Sequence, residues 1–234
     1  MTRRKKTIQK TSGAIQSIPA HKSTEWIYQF WAWQVLAWVL YRYFLSLPEP
    51  VDEFIFKPLI FVLPVLWYVR TKEKRGLDSI GLTQKNFWYS LILGLGFGFL
   101  FAGEAMAANA LKYGTLKLSP SAVVLNYGII LLLLLSFATA FSEEVLSRGF
   151  LFTRLYEGTK KLWYSAFMSA FLFVAFHIPI LLTTLRFTGM TLVLFFLTNI
   201  VLGVANSIIF NKTKSLVAPI LIHLFWNVTV AMFL

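Results

Sequence analysis

The chain has 234 residues, 57% of them hydrophobic, a formal net charge of +12 and no cysteine. Soluble domains are about 45–50% apolar; here the excess comes in long runs and the mean hydropathy is +0.67, which implies an all-α, polytopic membrane helix bundle. The missing cysteines exclude a disulfide framework, thiolate catalysis and a Cys-ligated zinc site. The basic residues gather at the ends of the apolar runs, the mark of membrane topology rather than of a nucleic-acid partner.

Residues 1–25 are polar and basic, with Arg3, Arg4, Lys5, Lys6, Lys10 and Lys22, and read as a disordered cytosolic tail facing anionic lipid heads. They contain no short apolar stretch before a small-residue cleavage site, so the first membrane helix is expected to act as an uncleaved anchor. Seven apolar segments follow, at about 26–46, 54–70, 87–110, 122–152, 162–182, 190–210 and 215–234. The first is crowded with Trp and Tyr, which suits packing and lipid contact. The second is short and carries Pro58 and Pro64, so a kink or partial burial is expected there. In the third, Gly94 and Gly98 suit close helix packing, because no strand precedes them and no phosphate-loop Lys follows. Alternate loops hold 17 Lys and Arg against 4, with Arg42 left inside a helix. That asymmetry puts the N-terminus in the cytosol and the C-terminus outside. The division expected is tail 1–25, N-terminal transmembrane helices 26–76 and a core over 77–234.

Three polar patches interrupt the later helices: Glu143-Glu144-Val145-Leu146-Ser147-Arg148, Phe173-Val174-Ala175-Phe176-His177 and His223-Leu224-Phe225-Trp226-Asn227. An ionisable group at bilayer depth costs roughly 2.5–3.5 kcal/mol on insertion scales, so such residues face a cavity and mark function. Adjacent glutamates on a helix point about 100° apart. Arg148, four residues beyond Glu144, can pair with it, which leaves Glu143 free to bind a water as a general base. The bland alternative is a solvated helix end continuing into Arg154, Glu157, Lys160 and Lys161. Phe173 and His177 share one face, and Pro179 can free a carbonyl for the imidazole. His223 and Asn227 share another; His223 can shuttle a proton and Asn227 can donate to an oxyanion. A lone His or Asn at such positions is otherwise a packing or interhelical hydrogen-bonding residue. Glu104, in the third segment, reads first as a hydrogen-bonding residue. Measured from bilayer edges near Trp163 and Ser215, His223 lies about 12 Å deep and His177 about 21 Å, a mismatch that tilt or a kink must absorb. The set points to hydrolytic chemistry on a carbonyl. A peptide-binding scaffold and a proton-coupled transporter remain as alternatives, although no internal repeat supports the latter.

The patches, in order and spacing, resemble the CPBP family: type II CAAX prenyl endopeptidases and the bacteriocin-processing and immunity-associated membrane proteins. They are similar to its EExxxR, FxxxH and HxxxN motifs. Arg148-Gly149-Phe150-Leu151-Phe152 and Ala218-Pro219-Ile220-Leu221-Ile222-His223 resemble the family's flanks, and Leu77 to Leu82 its loop before the third helix. The resemblance covers about 77–234. It implies a glutamate-dependent intramembrane endopeptidase in a lipid bilayer, acting on a peptide or membrane-protein substrate. Glu143 and His177 would activate water, His223 and Asn227 would stabilise the oxyanion, and Glu144, Arg148 and Phe173 would support the site. No cofactor is expected. The competing account has zinc on Glu143, His177 and His223, three ligands as in catalytic zinc sites. The alternative function is a non-catalytic bacteriocin-immunity or scaffold protein. The location expected is the bacterial plasma membrane.

Overall fold

The computed structural model describes residues 24–45, 47–118 and 122–233; nearly all of the expected basic tail lies outside the described residues. Seven long helices make up the described chain, with no strand among those residues. They are α1 (Glu25–Phe44), α2 (Glu49–Lys72), α3 (Phe87–Tyr113), α4 (Gly128–Thr159), α5 (Leu162–Leu185), α6 (Gly189–Thr213) and α7 (Val217–Phe233). Helices α2 to α6 are each long and apolar enough to cross a bilayer, and most of α7 is a shorter apolar helix. Apolar side chains such as Trp33, Ile92, Leu125, Ile130 and Leu182 point outward, while serines, asparagines and most of the paired charges point in. This is the pattern of an integral, multi-pass membrane protein, whose outer surface meets hydrocarbon and whose polar groups must find partners inside.

Helix α2 is longer than its apolar stretch suggests. It starts at Glu49-Pro50 and takes in Asp52 and Glu53, which precede the expected segment at 54–70, as well as Lys57 at that segment's edge. Wide π-type turns over Asp52–Phe56, Pro58–Val62 and Tyr68–Lys72 absorb Pro58 and Pro64 without ending the helix. Helix α4 is preceded by a turn from Ala122 and set off by Gly128, whose φ of 69° and ψ of 166° only glycine adopts readily.

The expected close approach of α3 falls on α7. A Cβ on Gly94 would sit 2.8 Å from Leu221 Cδ1 and 3.1 Å from the Ala218 Cα, and one on Gly98 would sit 2.8 Å from the Phe225 ring. Gly96, on the other side, meets nothing within 4 Å. At the end of the bundle where α4 and α5 join, Gly81 (φ 78°) accepts a 3.0 Å bond from Leu216 N, fixing the loop before α3 to the α6–α7 turn. Arg154, also there, grips both oxygens of Glu73 at 2.6 and 2.8 Å. Arg75 bonds both oxygens of Glu157 at 2.8 Å, and that carboxylate holds its guanidinium above its ordinary range. Arg154 is buried, so this helix end is not simply solvated.

Helix α5 leaves regular winding at Phe176-His177, just before Pro179, which has no N–H to give. Phe176 N turns to Phe173 O and His177 N to Val174 O, at 3.0 and 2.9 Å. The freed carbonyls of Leu172 and Phe176 accept the indole N–H groups of Trp31 and Trp38, each at 3.0 Å. The tryptophans of α1 thus do more than pack. One continuous apolar core joins α1 and α2 (Ile27, Trp38, Phe61, Val65) to α4 and α5 (Val145, Phe150, Phe152, Phe176).

Replacing Gly94 with Ala is expected to destabilise the protein by about 1–3 kcal/mol, because the added methyl meets backbone. The Gly96→Ala variant should be neutral. Thermal unfolding of the two proteins in the same detergent checks this.

Candidate active site

Every residue from Ser142 to Phe152 is buried, where a helix end facing water would show alternating exposure. Directly after the glutamate pair, α4 widens into π-type turns over Val145–Phe152, a deformation common at functional sites. Ser147 helps by bonding back to the Glu143 carbonyl, and Thr153 Oγ1 bonds the Arg148 carbonyl at 2.9 Å.

The two carboxylates have different surroundings. Glu144 Oε1 gathers Arg148 Nη1 at 3.2 Å, the Asn206 amide at 3.0 Å and His223 Nδ1 at 2.8 Å. Helices α4, α6 and α7 therefore meet on one oxygen. Arg148 also donates to Ser147 Oγ at 2.7 Å and lies 4.9 Å from the centre of the Phe173 ring. Gly203 makes room for it: a Cβ there would sit 3.1 Å from Arg148 Nη2 and 2.8 Å from Ala170 Cβ. The sequence-derived pairing of Glu144 with Arg148 is present.

Glu143 is not free, as the sequence reading expected. Its Oε1 accepts from Lys57 Nζ of α2 at 3.2 Å, and its Oε2 lies 3.5 Å from His223 Nε2. Lys57 escaped the sequence reading because it counted only as a basic residue flanking the short second segment. The signal available was Glu53 four residues earlier, the favourable order for a helical ion pair. Asn206 was missed too, though a buried amide in an apolar helix is the signal that singled out Asn227.

Phe173 sits between the imidazoles, its ring centre 4.9 Å from that of His177 and 6.0 Å from that of His223. His177 Nδ1 lies 3.3 Å from the Phe173 carbonyl. An acceptor there selects the Nδ1–H tautomer and leaves Nε2 with its lone pair. The break in α5 falls at His177 itself, after regular winding over Leu162–Ala175, so it does not shorten the rise to His177. Asn227 lies one turn beyond His223 and makes no side-chain hydrogen bond among the described residues. Glu104 Oε2 accepts from the Trp226 indole at 2.8 Å, and the Trp226 ring lies 6.5 Å from His223. Glu104 thus supports a neighbour of the site.

The alternative zinc set is not gathered: among the described residues no three His, Asp or Glu side chains come together as ligands, and one oxygen of Glu143 faces the Lys57 ammonium.

Fold and site together define a multi-pass, all-helical membrane protein with carboxylates, imidazoles and a guanidinium buried at bilayer depth. Residues 125–229 match the family model described as type II CAAX prenyl endopeptidase Rce1-like, which supports a CPBP-family intramembrane protease. No curated protein and no solved structure matches the chain. The matched segment carries Glu143, Glu144, Arg148, Phe173, His177, Asn206, His223 and Asn227, but not Lys57.

Arg148→Ala should cost about 3–5 kcal/mol, since it leaves Glu144 buried without its guanidinium. Denaturant unfolding in micelles, set against wild type, measures it.

Proposed function

We propose that this protein is a glutamate-dependent, metal-free intramembrane endopeptidase. Its substrates are membrane-associated peptides or proteins, in CAAX-type or bacteriocin-leader processing, and its place is the bacterial plasma membrane. The observation that carries the reading is the unequal treatment of two adjacent carboxylates. Glu144 is anchored by three groups on one oxygen, which suits a support. Glu143 keeps Oε2 in a looser 3.5 Å relation to His223, which suits a group that must exchange a proton.

In the proposed reaction Glu143 takes a proton from water as the water oxygen adds to the scissile carbonyl carbon. His177 Nε2 accepts a hydrogen bond from the water's second hydrogen, which stays on oxygen and leaves with the product acid, and so orients the nucleophile. The carbonyl π pair moves to oxygen, where His223 and the uncommitted Asn227 amide donate to the oxyanion. His223 suits this role by position, with Nδ1 on Glu144 Oε1 and Nε2 turned toward Glu143 Oε2. Collapse of the adduct breaks the C–N bond, and Glu143 returns its proton to the leaving amine. Glu144, Arg148 and Phe173 hold the imidazoles in place. Zinc chemistry is left out because a lysine ammonium already complements Glu143.

Membranes from cells making wild type or Glu143→Gln at matched levels should differ in new peptide termini, present only with the wild type and read by mass spectrometry. Identical profiles with both proteins inserted would sink the protease reading and favour the immunity or scaffold role. Cleavage by the purified wild type should persist in a zinc chelator; loss that added zinc restores would overturn the metal-free mechanism.

A further inference from the structure

Lys57 lies outside the segment that matches the family model, on a helix that the sequence motifs do not touch. Its side chain is 8% exposed. A buried ammonium in a bilayer needs compensation, and a lysine near a helix end ordinarily reaches for the interface. Lys57 instead turns inward. Its Nζ lies 2.6 Å from Glu53 Oε1, 3.2 Å from Glu143 Oε1 and 6.0 Å from the centre of the Trp38 ring. Glu53 alone, one helical turn away, would neutralise it. Reaching a second carboxylate on α4 is the surplus that needs a reason. Glu53 is itself tethered, since Thr139 Oγ1 donates to its Oε2 at 2.5 Å. The result is a continuous line from Thr139 through Glu53, Lys57, Glu143, His223 and Glu144 to Arg148.

We infer that Lys57 is a positioning residue for the hydrolysis: its ammonium holds Glu143 Oε1, keeps the carboxylate ionised and turns Oε2 toward His223, where water is activated. The inference rests on Glu143 being the base. Sharing between two acids gives the arrangement its use. When Glu143 takes the water proton, Lys57 stays neutralised by Glu53, so no buried cation is left alone during the cycle. When the proton passes to the leaving amine, the ammonium restores Glu143 to the same rotamer.

The test uses the full chain in bicelles with a substrate found by terminus profiling, and four proteins: wild type, Glu143→Gln, Lys57→Arg, and Lys57→Met combined with Glu53→Gln. The double variant removes cation and counter-charge together, so it avoids the uncompensated acid that Lys57→Met alone would leave. Expected are a wild-type-like unfolding temperature, an unchanged KM and a kcat lower by about a hundredfold, with Lys57→Arg recovering much of the loss. An infrared difference spectrum of the double variant should gain the carbonyl stretch of a protonated carboxylic acid, and a further Glu143→Gln change should abolish it. A folded double variant with wild-type kcat, or one without that band, overturns the inference and reduces Lys57 to a strut between α2 and α4. If the wild type cleaves no more than Glu143→Gln, the protease reading fails instead. The infrared comparison needs no substrate and still decides whether Lys57 governs Glu143.

Discussion

Charge at bilayer depth has to be complemented within the protein, and in this molecule one oxygen atom concentrates that requirement. Glu144 Oε1 is approached by a guanidinium, an amide and an imidazole from three helices. Leaving such a carboxylate without partners costs several kcal/mol, so the positions of α6 and α7 against α4 are fixed by electrostatics as much as by packing. Small residues supply the space. Gly203 admits the guanidinium, and Gly94 and Gly98 bring α3 against α7, behind His223. A methyl at any of these points would push apart groups whose neutrality depends on contact.

Helix α4 sets its two glutamates on the two nitrogens of one imidazole, His223, and gives each a different further set of partners. Glu144 faces α6 and α7; Glu143 faces α2 as well as α7. Two identical side chains, one residue apart, thereby acquire different surroundings, and unequal surroundings are how folds give different acid–base roles to a single residue type. The widened turns that follow them bury every side chain of the segment, which a regular helix on the rim of a bundle would not do.

The three motifs were legible because ionisable groups stand out against hydrocarbon, and their i, i+4 spacing reported shared faces directly. The glycine contact of α3 was legible for the same reason: Gly94 and Gly98 have that spacing and Gly96 falls off the face. Lys57 was hidden at the edge of the short second segment, where it read as a flanking charge. Pro58 reads as a kink, and π-type turns carry α2 through it with Asp52, Glu53 and Lys57 inside the helix. Asn206 carried the same signal as Asn227, an amide in an apolar helix, but its pairing with Glu144, 62 positions away in the chain, is not encoded by any local pattern. The depth of His177 is a conflict in the sequence that the break at Phe176-His177 leaves standing, because α5 winds regularly up to Ala175. The seven helices agree with the seven apolar segments, and two ends extend past them where charge is paired inside the bundle, the start of α2 at Glu53 and Lys57 and the end of α4 at Arg154.

The indoles of Trp31 and Trp38 have a bearing on biosynthesis. The carbonyls they serve, on Leu172 and Phe176, are more than 130 residues downstream. Translation delivers α1 to the membrane long before α5. The donors are thus already in place when the broken helix arrives with carbonyls that lipid cannot satisfy. The first helix made serves as a template for the most irregular one, and order of synthesis works in favour of correct assembly.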